Sequence, residues 1–233
     1  MQLFFHQNLE KKIVELPEDE SKHCVRVLRK KVGDEIILID GKGNHATCKI
    51  TDDNQKKCKL EIVEKVYFPA KAIGLHIAIA PTKNFDRMDW MLEKCTEIGV
   101  SEISFIETEN SERNKINMER CEKILIQSIK QSKQYWLPKL NNIISFKQFI
   151  VNQKTTDLNC LMAWCNENSL TINEATDLKK HTLLLIGPEG DFTEVEAKLA
   201  IENNFKTISL GQNILRTETA AVYAAAVINN LLN

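Results

Sequence analysis

The chain has 233 residues, 43% of them hydrophobic and 27% charged, enough to bury one large core or two modest ones and unlike a disordered segment. A net charge of -1 excludes a protein that holds nucleic acid by bulk charge alone, so any such binding must use local patches. No apolar run approaches the ~20 residues of a membrane helix, and Met1 to Lys12 lacks a secretory pattern, so a soluble, unexported protein with no membrane partner is expected. Seven scattered cysteines (Cys24, Cys48, Cys58, Cys95, Cys121, Cys160 and Cys165) include no Cys-x-x-Cys pair. They signal neither a zinc site nor a disulfide framework, and reduced thiols in a cytoplasm are the expectation.

In chain order, residues 1 to about 70 read as strands and turns: Leu3-Phe5, Glu35-Ile39, Ala46-Ile50 and Cys58-Val63. A small β-barrel is expected, interrupted by one helix from about Ser21 to Lys30, with Phe68-Lys71 as the linker. From Ile73 to the last residue, strands alternate with amphipathic helices, the pattern of a mostly parallel sheet covered on both faces. The strands are Leu75-Ala80, Ser101-Ile106, Leu158-Trp164, Thr182-Ile186 and Thr207-Leu210. Helices are expected through Met88-Ile98, capped by Gly99, from Asn117 to Tyr135, after the capping box Thr193/Glu196, and from Glu218 to Leu232.

Gly41-Lys42-Gly43-Asn44-His45-Ala46 matches a dinucleotide fingerprint in letters only. Alternating residues follow it rather than a helix, and Asp-Gly with Gly-Asn is hairpin chemistry. No Walker loop occurs. The run Lys22-Lys31 carries five basic residues and no acid; on a helix it would show a cationic stripe suited to phosphates, although a solvated face is the commoner meaning of such a run. The five histidines lack metal-ligand spacing. The three tryptophans read as core or interface residues, with Trp164 placed to border a pocket at a strand end.

Two glycine loops near the end carry the most information: Ile186-Gly187-Pro188-Glu189-Gly190, and Leu210-Gly211 leading through Ile214-Leu215-Arg216-Thr217-Glu218-Thr219-Ala220. Each lies between an apolar run and a helix. Leaving parallel strands on one edge, they would form a concave ligand site, because crevices in open α/β sheets lie beyond the carboxyl ends of the strands.

With these loops, His23-x-x-Arg26-Val27-Leu28-Arg29, Lys83 with Arg87, Glu93-Lys94-x-Thr96-Glu97-Ile98-Gly99-Val100, Ser111-Glu112-Arg113 and Gln131-Ser132 follow in order. On these landmarks the chain resembles, over nearly its whole length, the RsmE family of 16S ribosomal RNA uracil-N3 methyltransferases in the SPOUT superfamily. The resemblance implies an α/β fold: a PUA-like β-barrel over residues 1–70, then a SPOUT domain over 73–233 with a trefoil knot. It implies S-adenosylmethionine as cofactor, a homodimer, and methylation of N3 of a uridine in 16S ribosomal RNA of the small subunit. Leu185, Ile186, Gly187, Glu189, Gly190, Leu210, Gly211, Leu215, Thr217, Thr219 and Ala220 are then expected at the cofactor. His23, Arg26, Arg29, Lys83, Arg87 and Arg113 are expected at RNA. Arg216 is the expected stabiliser of the charge on a deprotonated uracil, and Glu218 a candidate base whose alternative is an acid favourable to the helix dipole. Where relatives carry an arginine after Gln-Ser this chain has Lys133-Gln134, and Asp191 stands where a third glycine is common. Two other readings stay open: a SPOUT methyltransferase for another RNA or base, and a non-catalytic dimeric RNA-binding protein.

Overall fold

The computed structural model describes residues 2–164 and 169–232; Cys165 lies outside them. The chain divides into two compact units, Met1–Ala70 with Ile126–Leu137, and Lys71–Leu125 with Pro138–Asn233. The division is not linear as the linker at Phe68-Lys71 implies, because the segment from Ile126 clusters with the first unit.

The first unit is a five-stranded sheet in the order β1-β3-β4-β5-β2, with β1 (Leu3–Phe5), β2 (Ile13–Glu15), β3 (Glu35–Ile39), β4 (Asn44–Asp52) and β5 (Lys59–Tyr67). All five strands turn side chains into one core: Phe4, Val14, Ile36, Leu38, Ala46, Cys48, Ile50 and Leu60 are buried together. A flat sheet could not bring both edges to one core, so this one is strongly curved, helped by register shifts between β4 and β5. The other face of β1 and β3, Leu3, Phe5, Ile37 and Ile39, packs on Ile129 and its neighbours Ile126, Tyr135 and Leu137. Their apolar contact explains why that late segment joins the early strands.

The β3–β4 turn settles the Gly41-Lys42-Gly43 motif as a hairpin. Asp40 Oδ1 accepts from the backbone N–H groups of Lys42 and Asn44, and both glycines have positive φ, 70° and 90°. The helix expected over Ser21-Lys30 is shorter and irregular: α1 (Glu18–Lys22) runs into a π-helical turn, His23–Val27. There Leu28 N–H bonds the His23 carbonyl, and Arg29 then turns left-handed, φ 55°, so Lys22, Arg26 and Arg29 do not share one regular helix face.

The second unit is a seven-stranded, wholly parallel sheet in the order β10-β12-β9-β11-β6-β7-β8. Its elements are β6 (Leu75–Ile79), α2 (Phe85–Ile98), β7 (Glu102–Glu107), α3 (Met118–Ser132), β8 (Lys139–Ser145), α4 (Phe146–Asn152), β9 (Leu158–Ala163), β10 (Leu170–Thr171), α5 (Ile172–Ala175), β11 (His181–Ile186), α6 (Glu194–Glu202), β12 (Lys206–Ser209) and α7 (Thr217–Leu232). The last turns of α3, from Ile126, fall in the first unit. Central β11 is apolar along its length because it is covered on both faces. Leu183 and Leu185 meet Phe146, Phe149 and Phe192 on one face, and α7 packs on β6, β11 and α2. Two expected helix signals act as the sequence indicates, Gly99 closing α2 with φ 98° and Thr193 with Glu196 forming the capping box of α6; Asn84 also caps α2 through the Asp86 N–H.

β2, β8, β10, α4 and α5 have no counterpart in the sequence expectation. β8 and β10 are the sheet edges, polar and at most half buried, as edges exposed to solvent tend to be. Six described cysteines are free and buried. Burial pushes Cys48 and Cys95 up to about 12, and Cys121 and Cys160 up to about 11, so these thiols stay protonated. No described helix is long and apolar enough to cross a membrane, and no described group of histidine, cysteine and carboxylate side chains could hold a metal.

Candidate active site

Because every strand of the second sheet is parallel, the loops after β6, β7, β9, β11 and β12 leave on one edge. A cleft of about 240 Å³ opens there between the β11 and β12 loops, floored by Ala163 and Trp164 at the end of β9. Of the residues expected at a cofactor, Ile186, Gly187, Glu189, Leu210, Gly211, Leu215, Thr217 and Ala220 line it. Leu185, Gly190 and Thr219 do not. Leu185 is fully buried in β11 in register with Ala78 and Met162, so its backbone is committed to the sheet. The Gly190 carbonyl turns away to accept from Asn110 Nδ2 at 3.0 Å, and Thr219 is exposed on the first turn of α7. Trp164, Pro188, Asp191, Ser209, Gln212 and Asn213 also line the cleft. Of these, Trp164 was marked by its place at a strand end, Pro188 by the first loop's motif and Asp191 by standing at a glycine position, whereas Ser209, Gln212 and Asn213 carried no signal of their own.

The first loop is held by its own residues. Gly187 backs onto Phe192, where an added Cβ would lie 3.1 Å from the ring, and Asp191 Oδ1 accepts from the Phe192 N–H at 2.7 Å. Asp191 sits at φ 59°, which explains why glycine suits that position and why aspartate, tolerant of left-handed backbone, can replace it. Burial raises its carboxyl above the usual range, an effect the Phe192 N–H partly reverses. Glu189 ties this loop to the β6 loop by accepting from Lys83 N–H at 3.3 Å.

The second loop is open in a different sense. Gly211 has φ 118°, a conformation for glycine, and between Gln212 and Leu215 no backbone N–H or C=O bonds a described residue. Such a run beside an apolar cleft of Ile186, Leu210, Leu215, Ala220 and Trp164 fits an adenine, which offers a flat apolar face and an edge of donors and acceptors. Thr217, buried at the start of α7, adds a hydroxyl.

Arg216 is exposed between this loop and α7, and its side chain makes no hydrogen bond or ion pair with a described residue. Glu218 is buried, with Oε1 3.7 Å from Arg87 Nε and Oε2 without a hydrogen-bond partner among the described residues; it does not line the cleft. Arg87, expected at RNA, thus faces a carboxylate that fastens α7 to α2. Lys83 pairs with Glu112 at 2.9 Å, and Arg113 donates to the Lys83 carbonyl while its guanidinium lies 5.3 Å from the Phe85 ring centroid. These contacts order the β6 and β7 loops. In the first unit His23 contacts Gln2 at 2.6 Å, whereas Arg26 and Arg29 are exposed and their side chains bond no described residue.

A larger cleft, about 590 Å³, lies at the opposite, amino ends of the strands. Neither glycine loop reaches it, so size does not make it the site. It holds His76, whose Nε2 is 2.7 Å from Ser104 Oγ and which burial lowers to about 4, against a smaller opposing pull from Glu102. The unfolded chain therefore takes up this proton first as pH falls. Stability is expected to decline from about pH 6.5 to pH 4, by on the order of 3 kcal/mol, and His76→Gln should flatten that part of a urea-melt pH series. An unchanged slope in the variant would refute the assignment.

A parallel sheet with a glycine-loop cleft at its carboxyl edge, preceded by a small curved sheet, is the architecture of a class of RNA methyltransferases. Residues 69–229 match the RNA methyltransferase domain family, and residues 16–63 match the RNA methyltransferase PUA domain family. Among named relatives, ribosomal RNA small subunit methyltransferase E of Rickettsia conorii is 30% identical across 94% of this chain and 90% of its own length. The Bacillus subtilis protein of that name is 29% identical across 98% and 96%. A crystal structure of a probable rRNA-methyltransferase from Porphyromonas gingivalis superposes with a TM-score of 0.94 at 36% identity, covering 100% of this chain and 98% of that one. Ribosomal RNA small subunit methyltransferase E from Neisseria gonorrhoeae, bound to S-adenosyl methionine, superposes at 0.89 with 26% identity, over 99% and 98%. The chain belongs to the ribosomal RNA small subunit methyltransferase E family.

Proposed function

We propose that this protein uses S-adenosylmethionine to methylate N3 of a uridine in small-subunit, 16S ribosomal RNA, acting as a cytoplasmic homodimer. The observation that carries the cofactor reading is the cleft lined from both glycine loops, with backbone between Gln212 and Leu215 that bonds no described residue. S-adenosylmethionine supplies an electrophilic methyl group on a sulfonium. The protein's task is then to align a nucleophile and exclude water, and the loops, Trp164 and Thr217 would hold the donor to that end. Uracil N3 becomes nucleophilic on losing its proton. Arg216, charged, beside the cleft and with no side-chain partner among the described residues, is placed to stabilise the negative charge that spreads onto the neighbouring carbonyl oxygens. In this reading Glu218 is a positioning residue that holds Arg87 and the start of α7 rather than the base.

The chain path supports the implied trefoil knot: the β9–β11 connection carries β10 outside β12, and after β12 the chain returns across the sheet to pack α7 on β6. Ile214, wholly exposed, with Trp90 and Tyr223, supplies apolar surface for a second copy, and sedimentation should give the dimer mass.

Titration with S-adenosylmethionine should give saturable binding and, with small-subunit RNA added, methyl transfer. Binding of RNA with no cofactor binding at all would instead favour the non-catalytic reading. Arg26 and Arg29, exposed in the first unit with side chains that bond no described residue, are available to phosphates. Replacing either by alanine should reduce the log–log salt slope of RNA binding by about 0.7, and an unchanged slope would remove that residue from the interface.

A further inference from the structure

The first unit carries an aromatic cluster that the methyl-transfer site does not use. Phe68 and Tyr135 stack at 4.2 Å between ring centroids, His45 meets both edge-on, and Tyr67 meets Trp136 edge-on at 6.2 Å. Tyr135 is half-buried, whereas Tyr67 is 59%, Phe68 37% and Trp136 36% exposed.

Trp136 is held as a fixed platform. Its indole Nε1–H donates to the Phe68 carbonyl at 2.9 Å, so its polar atom asks for no further partner. The ring lies on Gly43, where an added Cβ would stand 2.8 Å from it, and the Gly43 N–H bonds the Tyr135 carbonyl. A glycine is therefore required at 43 for close approach as well as for its φ of 90°. Lys42 is bridged directly opposite Trp136, Lys133 stands three residues before Trp136 in the chain, and both lysines are exposed.

Rings ordered in advance, with part of their surface in water and cations beside them, suit a ligand that is flat and negatively charged. Aliphatic partners would use neither lysine, and a double helix would hide its base faces. We propose that Tyr67 and Trp136 form a stacking platform for an unpaired nucleobase of the RNA, with Lys42 and Lys133 on the adjoining phosphates. This rests on the RNA-methyltransferase reading and adds to it a single-stranded segment engaged by the first unit. Because the platform is already rigid, stacking costs little side-chain entropy and tolerates any base.

The test uses the full chain and a short oligouridine, with an RNA duplex of equal length as control. Oligouridine should quench tryptophan emission, and Trp136→Phe should remove that quenching although Trp90 and Trp164 remain. Tyr67→Leu should weaken binding by about tenfold and leave S-adenosylmethionine affinity unchanged. Equal quenching by the duplex, quenching that persists in Trp136→Phe, or full affinity in Tyr67→Leu would each overturn the platform. Methyl transfer by the wild type is measured alongside. If transfer occurs while Tyr67→Leu binds normally, the platform alone falls; if stacking is seen without transfer, the activity alone falls.

Discussion

Replacing Arg216 by alanine is expected to slow methyl transfer by about 10²–10³-fold while S-adenosylmethionine affinity stays close to wild type. The size follows from losing one preorganised charge at a site where negative charge develops, and the selectivity from geometry, since Arg216 is not among the cleft-lining residues. Lysine at this position should restore part of the rate, because it keeps the charge and loses the planar fork. Glu218→Gln separates the neighbouring role. It keeps the shape of a buried side chain 3.7 Å from Arg87, so transfer should persist with a lowered melting temperature. Loss of transfer in folded Glu218→Gln would make Glu218 the base, and wild-type turnover in Arg216→Ala would end the charge-stabilisation mechanism.

The second large effect is expected at Gly187. A Cβ there would come within 3.1 Å of the Phe192 ring and 3.2 Å of Asp191 Oδ1, and valine adds two methyl groups beyond it. Phe192 is buried among Phe146 and its neighbours and cannot move freely, so the loop must tilt into the cleft. Gly187→Val should lower S-adenosylmethionine affinity by about tenfold or more, equivalent to at least ~1.4 kcal/mol, with the fold retained in circular dichroism. Unchanged affinity would place the cofactor away from this loop. The same substitution should leave oligouridine quenching intact, since the aromatic platform belongs to the other unit.

Local physics made much of the second unit legible. Gly99 and the Thr193/Glu196 box act within a few residues, and the apolar run at Thr182-Ile186 can only be a covered strand or helix segment. β8 and β10 escaped because edge strands bury little, and their letters, Lys139-Leu140-Asn141-Asn142 and Leu170-Thr171, carry no period. The recruitment of Ile126–Leu137 by the first sheet is a tertiary fact: an amphipathic helix shows a face, not the surface it will meet.

At the site, glycine and small residues marked both loops, whereas Gln212 and Asn213, which also line the cleft, follow no pattern. Glu218 and Arg87 illustrate the limit most clearly. Each has an ordinary reading alone, dipole acid and phosphate ligand, and only the packing of α2 against α7 brings them together. Trp136 is the converse. A lone tryptophan reads as core, and its role depends on a glycine 93 positions earlier lying beneath the ring.

The central claim is the reaction and its position. Small-subunit ribosomal RNA from cells with and without the gene, digested to nucleosides and oligonucleotides and analysed by mass spectrometry, tests both. The account predicts that one N3-methyluridine, at one site in 16S RNA, is lost with the gene and regained with the wild-type chain but not with Arg216→Ala. Retention of that nucleoside, or loss of a different modified base, would contradict it.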